Sequence, residues 1–265
     1  MKKLKIATWN INSIRLRFEQ VKRVFQEQNI DILALQEIKV MNELFPLDDC
    51  KQIGANYCYF NGEKSYNGVA FLSRVPLDEI FTLKLCKDDA RHISVKVDNK
   101  IELHNFYIPS GGDEPDISIN PKFAHKLKYL EEMKEWFALN RNNNDKMMLM
   151  GDLNIAPYEH DVWSSKQLRN VVSHTMPEIE RLTAIRDNLS WIDVSRKFVP
   201  LDQKLYSWWS YRNPGWREND KGRRLDQIWC TKPLDESIIS SKILKETREY
   251  TQPSDHVPVI CEVII

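Results

Sequence analysis

The sequence predicts an α/β sandwich, with β-sheets in the middle and helices outside. Short apolar runs typical of buried strands are spread along the whole chain, and a few segments repeat apolar residues at helical spacing. A hairpin-like turn and helical crossovers are both present, so the sheets should mix antiparallel and parallel strands. The 265 residues contain 42% hydrophobic residues and no repeat or Gly/Ser linker. We therefore expect residues 1–265 to form a single domain.

The predicted strands are apolar runs bounded by polar residues. They span residues 4–8, 32–35, 69–73, 81–85, 92–97, 101–107, 147–150, 226–230 and 257–264. The run 98–100 separates two of them, which predicts a β-hairpin.

Three helices are predicted from apolar residues that share one face. The first follows Ser13, a plausible N-terminal cap, and carries Ile14, Phe18, Val21 and Phe25. The second covers residues 123–139, and the third covers residues 178–189.

Charge and cysteine content exclude several classes of protein. Lys and Arg total 38 and Asp and Glu total 38, so any attraction to nucleic acid must come from local patches. The five cysteines include no CxxC pair, which fits neither a disulfide framework nor a zinc site. Asn10 and Asn12 interrupt the first apolar run, and no run approaches the roughly 18 residues of a membrane span. We expect a cytoplasmic protein with no membrane partner.

Polar residues of catalytic type lie where predicted strands begin or end. In chain order they are Asn10, Asn12, Glu37, Tyr107, Asp152, Asn154, Asp226, Asp255 and His256. Strand ends that meet at one edge of a sheet commonly assemble a site. Their placement predicts a functional site at such an edge.

Each of these residues also has a structural interpretation. An Asn after a strand is usually a turn residue, and a lone His is more often structural than catalytic, although the adjacent acid Asp255 favours a role for His256. Glu37 follows a buried run, and a buried carboxylate needs either a partner or a metal. Both interpretations stay open. Oxygen donors without a His/Cys cluster favour magnesium or manganese over zinc.

Several motifs occur in the order of one known family. They are TWNINSIR (8–15), LQEIK (35–39), NFYIPSG (105–111), GDLNIAP (151–157), GRRLDQIW (222–229) and SDHVPV (254–259). On these motifs the chain resembles the exonuclease III family of apurinic/apyrimidinic endonucleases, within the endonuclease/exonuclease/phosphatase superfamily. GDxN and SDHxP are shared across the superfamily, whereas LQExK, SWWSYR (207–212) and GxRLD narrow the resemblance to the DNA-repair branch. It implies a four-layer sandwich of two packed mixed sheets flanked by helices.

The resemblance implies a role for each matching residue. Asp152 would orient and deprotonate the attacking water, and Asn154 and Tyr107 would donate hydrogen bonds at the phosphate. His256, oriented by Asp226, would be a further contact to that phosphate. The ligands of a Mg²⁺ ion, for which Mn²⁺ would substitute, would come from Asn10, Glu37, Asp152, Asn154, Asp255 and His256.

A stretch rich in Trp and Arg is predicted to contact DNA. Residues 206–229 hold four of the eight Trp residues among several basic ones, and such residues bind phosphates and unstacked bases or sugars. The predicted contacts are Asn12, Trp208, Arg212, Arg223, Arg224 and Leu225. Trp208 matches the position that lines the abasic-sugar pocket in the family. Arg223 stands where eukaryotic members carry Trp, so the resemblance does not determine the shape of this pocket.

The resemblance implies a monomeric, magnesium-dependent DNA-repair phosphodiesterase. It would cut double-stranded DNA 5′ to abasic sites, act as a 3′–5′ exonuclease and clean 3′-blocked ends. Two other functions stay open. A superfamily phosphatase acting on inositol phosphates or phospholipid headgroups would have a small basic pocket in place of the Trp/Arg stretch. A binding protein that has lost catalysis would lack some of the polar residues named above, all of which are present.

Overall fold

The computed structural model describes residues 2–213 and 215–265, apart from the side chain of residue 79. The strands are β1 (Lys3–Asn10), β2 (Ile32–Gln36), β3 (Tyr57–Glu63), β4 (Tyr66–Ser73), β5 (Leu77–Phe81), β6 (His92–Val97), β7 (Ile101–Tyr107), β8 (Met147–Asp152), β9 (Ile192–Asp193), β10 (Asp226–Cys230), β11 (Ile238–Ile243) and β12 (Val259–Ile264). The helices are α1 (Phe18–Glu27), α2 (Leu47–Gln52), α3 (Pro121–Asn140), α4 (Ser165–Leu168), α5 (Met176–Asn188), α6 (Val194–Phe198) and α7 (Trp216–Asn219). Among these helices, none is long and apolar enough to cross a membrane.

The strands form two mixed sheets. The first sheet has the order β11-β12-β1-β2-β4-β3, and the second has the order β5-β6-β7-β8-β10-β9. The pairs β1 with β2 and β7 with β8 are parallel, and the other pairs are antiparallel. Each parallel pair is joined by a crossover that contains a helix, as parallel pairing requires.

The sheets and helices form four layers. Apolar side chains from both sheets pack together in the middle, including Ile6 and Phe71 from the first sheet and Leu103 and Met150 from the second. On the outer face of the first sheet, α1 buries Val21, Val24 and Phe25. On the outer face of the second, α3 and α5 pack together and bury Leu130, Phe137 and Leu182. The predicted sandwich of two mixed sheets flanked by helices is confirmed.

A buried polar bridge ties the two sheets together. Gln36 Nε2 of β2 donates to Asn105 Oδ1 of β7 over 2.7 Å. Asn105 Nδ2 in turn donates to the carbonyl oxygens of Leu35 and Ala70, each over 3.0 Å. Because a buried amide that loses its partners pays a desolvation penalty, these bonds favour one alignment of β7 against β2 and β4.

The sequence predictions were wrong or incomplete at the sheet edges and next to polar residues. Strands β3, β9 and β11 were not predicted, since β3 and β11 are mostly half-exposed edge strands and β9 has two residues. The strand predicted at 81–85 lies earlier, at β5. Ser13 does not cap α1, because its amide donates to Glu37 O over 2.7 Å and the chain stays non-helical until Phe18.

Candidate active site

The parallel pairs bring four predicted residues to one edge of the two sheets. In the first sheet, β1 ends at Asn10 and its neighbour β2 ends one residue before Glu37. In the second sheet, β7 ends at Tyr107, which lies opposite Asp152 at the end of β8. Since parallel strands run in one direction, each pair delivers its last residues to the same edge.

Antiparallel strands add the remaining residues. Asp226 opens β10 directly opposite Asp152, because β10 runs antiparallel to β8. Strand β12 runs antiparallel to β1, so Asp255 and His256, which precede it, return to the edge where Asn10 lies.

Asp152 lies at the centre of the site and is bonded from both sheets. Asn10 Nδ2 donates to Asp152 Oδ2 and to Glu37 Oε1, each over 2.9 Å. The backbone amide and side-chain amide of Asn154 donate to the two oxygens of Asp152 over 3.0 and 3.1 Å. Asn154 is in the left-handed region, with φ of 52°, which Asn tolerates well. The GDxN motif is therefore a turn that folds the Asn154 amide onto Asp152.

His256 and Asp226 form a hydrogen-bonded pair beside Asp152. His256 Nδ1 lies 2.8 Å from Asp226 Oδ2, and His256 Nε2 lies 3.7 Å from Asp152 Oδ2. Ser207 Oγ donates to Asp226 Oδ2 over 2.7 Å. All four side chains are buried. The Asp226 carboxylate therefore fixes the imidazole ring so that Nε2 faces Asp152.

Glu37 receives positive charge and hydrogen bonds from three sides. Tyr107 OH donates to its Oε1 over 2.8 Å, and Lys39 Nζ lies 2.7 Å from its Oε2. Lys39 Nζ also donates to Asn12 Oδ1 over 2.7 Å. The φ of Glu37 is 50°, a left-handed conformation that is uncommon for a glutamate and costs on the order of 1–3 kcal/mol. This backbone turn directs the carboxylate toward Asn10 and Tyr107.

Asp255 belongs to a neighbouring hydrogen-bond set. Its Oδ1 accepts from Asn12 Nδ2 over 3.2 Å, and its Oδ2 accepts from Trp208 Nε1 over 2.9 Å. Trp208 is also in ring contact with His256, with 6.5 Å between centroids. Asp255 thus connects the Trp208 indole to the edge of the site.

The electrostatic surroundings make Asp152 a base and His256 an acid. Burial raises the pKa of Asp152 to about 7; the charge of His256 opposes this shift, and the charges of Asp226 and Glu37 support it. Burial opposes the charge on His256, but the Asp226 and Asp152 carboxylates outweigh it and raise its pKa to about 10. At neutral pH His256 is therefore a cation that can only donate, whereas Asp152 is poised to accept a proton.

Glu37 and Tyr107 are shifted in opposite directions. Burial would raise the pKa of Glu37, but Lys39 and the Asn10 amide outweigh it and lower that pKa. Burial, with Glu37 and Asp152 nearby, raises the pKa of Tyr107 well above its usual value. Glu37 is thus ionised at neutral pH and Tyr107 keeps its phenolic proton.

The site opens into a cavity of about 530 Å³, within the usual size range of binding clefts. Six of the predicted catalytic or metal-binding residues line it: Glu37, Tyr107, Asp152, Asn154, Asp255 and His256. Four of the predicted DNA contacts also line it: Trp208, Arg212, Arg223 and Leu225. Asn10 and Asp226 lie behind this surface, both buried, and position the residues in front of them.

Arg224 does not belong to the DNA-contacting surface, contrary to our expectation. Its side chain is fully buried, and it forms salt bridges of 2.8 Å with both Asp161 and Asp193. Its positive charge is therefore paired with two carboxylates inside the protein and does not reach a DNA phosphate.

Two residues of the site were not predicted. Ser207 holds Asp226, and its hydroxyl also accepts from the amides of Leu225 and Asp226. Lys39 holds Glu37 and Asn12. Both lie within motifs already recognised, SWWSYR and LQEIK. Their polar side chains beside a predicted acid were the available signal.

Comparison with known proteins gives one consistent family. The model of the Endonuclease/Exonuclease/phosphatase family matches residues 7–256. Exodeoxyribonuclease III of Haemophilus influenzae is 27% identical over 270 residues, which cover 98% of this chain and 99% of that protein.

Solved structures agree. An AP endonuclease from Archaeoglobus fulgidus superimposes with a TM-score of 0.92 and 33% identity, covering 99% of this chain and all of the other. A 3′ phosphatase from Neisseria, bound to a product DNA hairpin, superimposes with a TM-score of 0.90 and 27% identity over the same shares.

Proposed function

The chain belongs to the endonuclease/exonuclease/phosphatase family, as a DNA-repair nuclease of its exonuclease III branch, and from this premise we propose its substrates and the roles of its residues. It cuts double-stranded DNA on the 5′ side of abasic sites. It also removes nucleotides and blocking groups from 3′ ends, leaving a 3′-hydroxyl.

One observation carries this proposal. A base, Asp152, lies 3.7 Å from an imidazolium, His256, at the floor of a cavity whose wall carries Trp208, Arg223 and Leu225. The floor suits attack on a phosphate, since the reaction needs a proton acceptor and a donor to the charged oxygens. The wall suits DNA, because an indole ring and a guanidinium bind unstacked sugars and phosphates.

Each residue has a definite task in the proposed hydrolysis. Asp152 accepts a proton from the water that attacks phosphorus, and its raised pKa makes it a stronger base than an ordinary aspartate. His256 donates from Nε2 to a phosphate oxygen and stays charged because Asp226 holds its Nδ1. Tyr107 and Asn154 line the cavity and hold Glu37 and Asp152 in place through their hydrogen bonds.

The donor set fits a hard divalent cation, and the family is one of metal-dependent nucleases. Glu37 and Asp152 offer carboxylate oxygens at the cavity, the type of ligand that Mg²⁺ prefers, whereas Asn10 turns its Nδ2 toward them and its Oδ1 accepts from the Asn12 amide. The ionised Glu37 carboxylate also needs compensating positive charge, which Lys39 Nζ supplies from 2.7 Å. Asp152, Asp226 and His256 also place ligand atoms within 4.8 Å of one another, but a protonated His256 has no lone pair for a metal.

We therefore assign the ion, proposed to be Mg²⁺, to Glu37 with Asp152 beside it, and we assign Asn10 the role of holding both carboxylates through its Nδ2. When bound, the ion neutralises charge on the phosphate and on the departing oxygen.

The direct test is a DNA duplex that contains one tetrahydrofuran abasic analogue. We expect incision 5′ to the analogue with Mg²⁺, none after EDTA, and recovery when Mg²⁺ is restored. Incision that persists in EDTA would contradict the metal assignment. Binding without cutting in Mg²⁺, or hydrolysis of soluble inositol phosphates instead of DNA, would contradict the proposed function.

A further inference from the structure

Arg223 holds a guanidinium rigidly in the wall of the cavity. Its Nη1 donates to Val172 O over 2.9 Å and to Ser173 Oγ over 2.7 Å. Its backbone amide and carbonyl pair with those of Trp208, each over 2.9 Å, and its Cζ lies 5.4 Å from the Trp208 ring centroid. The guanidinium is therefore placed by two loops and by an aromatic ring, before any ligand arrives.

The charge of Arg223 is only weakly compensated by the protein, because burial outweighs the attraction of Glu178 and lowers the pKa of Arg223. Among the described residues, no carboxylate lies within salt-bridge distance of it, and its buried Nε has no hydrogen-bond partner. The adjacent Arg224 provides a contrast, since two carboxylates hold it. Both partners of Arg223 are neutral acceptors, a carbonyl and a hydroxyl. A half-buried cation of this kind gains most from a ligand that supplies an anion.

Arg223 and the catalytic residues face the same cavity. Trp208 connects them, because its ring is in contact with both His256 and Arg223. Under the proposed function, on which this inference rests, the phosphorus under attack lies at Asp152 and His256. The group bonded to that phosphorus on the side of the Trp208 wall then comes within reach of the guanidinium.

We propose that Arg223 is a specificity-determining residue that favours 3′-blocked DNA ends whose blocking group carries a carboxylate. Because Nη1 already donates to Val172 O and Ser173 Oγ and Nε is buried, Nη2 is the nitrogen of Arg223 left to donate a charge-assisted hydrogen bond to a carboxylate. A neutral abasic sugar offers Nη2 hydroxyl oxygens alone, which make weaker bonds. The pocket therefore binds a group that carries a carboxylate more strongly than a neutral group.

The preferred substrate class is a 3′-terminal phosphodiester of a hydroxy acid, such as a 3′-phosphoglycolate. Water adds to phosphorus, and its hydroxyl stays there. The bond from phosphorus to the DNA 3′-oxygen breaks, and this oxygen takes up a proton. The products are a 3′-hydroxyl end and carboxymethyl phosphate, with no change of oxidation state.

Two probes of nearly equal size isolate the charge. One duplex carries a 3′-phosphoglycolate end, and the other carries a 3′-(2-hydroxyethyl phosphate) end, which has a hydroxyl in place of the carboxylate. We expect kcat/KM of the unaltered protein to be about 10- to 100-fold higher on the glycolate probe, the gain typical of a charge-assisted hydrogen bond. Equal values on the two probes would overturn the proposal.

Substitution then assigns the preference to Arg223. Arg223→Gln should reduce the glycolate-to-hydroxyethyl ratio of kcat/KM to about one, because the amide keeps hydrogen-bonding capacity but loses the charge. Arg223→Lys should keep part of the ratio, since it keeps the charge and loses the planar fork. If Arg223→Gln lowers kcat/KM equally on both probes, the residue has a structural role alone and the proposal is wrong.

The outcome also separates this inference from the proposed function. If the unaltered protein cuts neither probe nor the tetrahydrofuran duplex, the proposed function fails and this inference fails with it. If it cuts all three duplexes without preferring the glycolate, the proposed function stands and this inference alone fails. Thermal denaturation of both variants verifies that they are folded.

Discussion

At the scale of single residues, Asp152 and His256 carry the proposed chemistry because of their surroundings. The same carboxylate on the protein surface would be fully ionised well below neutrality and would be a weak base. Inside the site, burial and the neighbouring acids raise its pKa to about 7. The Asp226 carboxylate raises the pKa of both groups. It thereby keeps the His256 imidazole charged and makes Asp152 a stronger base.

Removing the base should separate cutting from binding. We expect Asp152→Asn to lower kcat by about 10²- to 10⁴-fold while retaining affinity for DNA, because the amide keeps the shape of the carboxylate. His256→Asn should behave similarly through the loss of a charged donor. Single-turnover cleavage and filter binding on the tetrahydrofuran duplex measure the two properties.

Asp98→Asn offers the matched control, since residue 98 is exposed at the tip of the β6–β7 hairpin. It should cleave normally. Near-normal turnover of either site variant would rule out the role assigned to that residue.

The pH dependence of kcat/KM should reflect the titration of Asp152 and His256. Activity requires a deprotonated Asp152 and a protonated His256, so kcat/KM should rise through neutral pH and fall again as the pH passes about 10. A bound cation will shift the rising limb to lower pH, because positive charge favours the carboxylate. Asp226→Asn removes the charge that most strongly favours protonated His256, so the falling limb should move to lower pH. A falling limb that stays in place would show that another group titrates there.

The two adjacent arginines show where residue-level prediction from sequence stops. The side chains of neighbouring residues in an extended chain point to opposite sides. Only one of Arg223 and Arg224 can therefore face the cavity. The partners that decide the matter are Asp161 and Asp193, which lie 63 and 31 residues before Arg224. No pattern within residues 222–229 reveals them.

At the scale of elements, apolar runs predicted the central strands well and the edge strands poorly. Strands β6, β7 and β10 have the predicted bounds. They are almost completely buried, and their apolar residues stand out even though polar residues such as Ser94, Glu102 and Gln227 lie among them. Strand β11 reads IISSKI and is largely half-exposed or exposed. It pairs because β12 offers it a free edge. Its neighbours, and not its own composition, determine this strand.

Helices α3 and α5 are joined beneath the site by a buried ion pair. Lys126 Nζ of α3 lies 2.5 Å from Glu178 Oε1 of α5, and both side chains are fully buried. Lys126 also donates to Asn154 O over 2.8 Å. Glu178 accepts from the amide of Ser173, the residue that holds Arg223. The pair therefore supports both the GDxN turn and the wall of the cavity.

Breaking this pair should be costly for stability. We expect Lys126→Met to lower the free energy of unfolding by about 3–5 kcal/mol, because it leaves the Glu178 charge buried and unpaired. Adding Glu178→Gln should recover part of the loss by removing that charge. Denaturant unfolding measures both changes.

Lys128→Met, on the exposed face of the same helix, is the control. Lys128 lies 3.5 Å from Glu132 with 66% of its side chain exposed, so its loss should cost at most about 1 kcal/mol. Equal effects of the two lysine variants would contradict the importance assigned to the buried pair.

At the scale of the whole molecule, the site exists only where the two sheets meet. Asn10 and Glu37 come from the first sheet, and Asp152 and Tyr107 from the second, yet one amide bonds acids of both. Sequence could predict that polar residues lie at strand ends, and the family resemblance supplied the sandwich. The alignment of the sheets was beyond prediction, because it depends on buried contacts such as Gln36 with Asn105.

The salt dependence of DNA binding should show whether a few basic residues account for the electrostatic attraction to DNA. The chain has no net charge, so affinity must come from a few contacts such as exposed Arg212 on the cavity rim. If Arg212 contacts one phosphate, Arg212→Gln should reduce the slope of log affinity against log salt by about one unit. Titrations at several salt concentrations measure this slope.

Lys232→Gln is the matched control, because Lys232 follows the end of β10 that is remote from Asp226 and is 74% exposed. Its slope should equal that of the unaltered protein. An unchanged slope for the Arg212 variant would remove Arg212 from the DNA-contacting surface.

The pairing of β1 with β12 has a consequence during synthesis on the ribosome. Translation reaches His256 and β12 only after it has made Asn10 and Glu37. A nascent chain that stalls after β10 carries Glu37, Asp152 and Asp226 but lacks Asp255 and His256, so the proposed hydrolysis would have no imidazolium donor. The complete site can therefore form only after translation has passed β12, which pairs with β1.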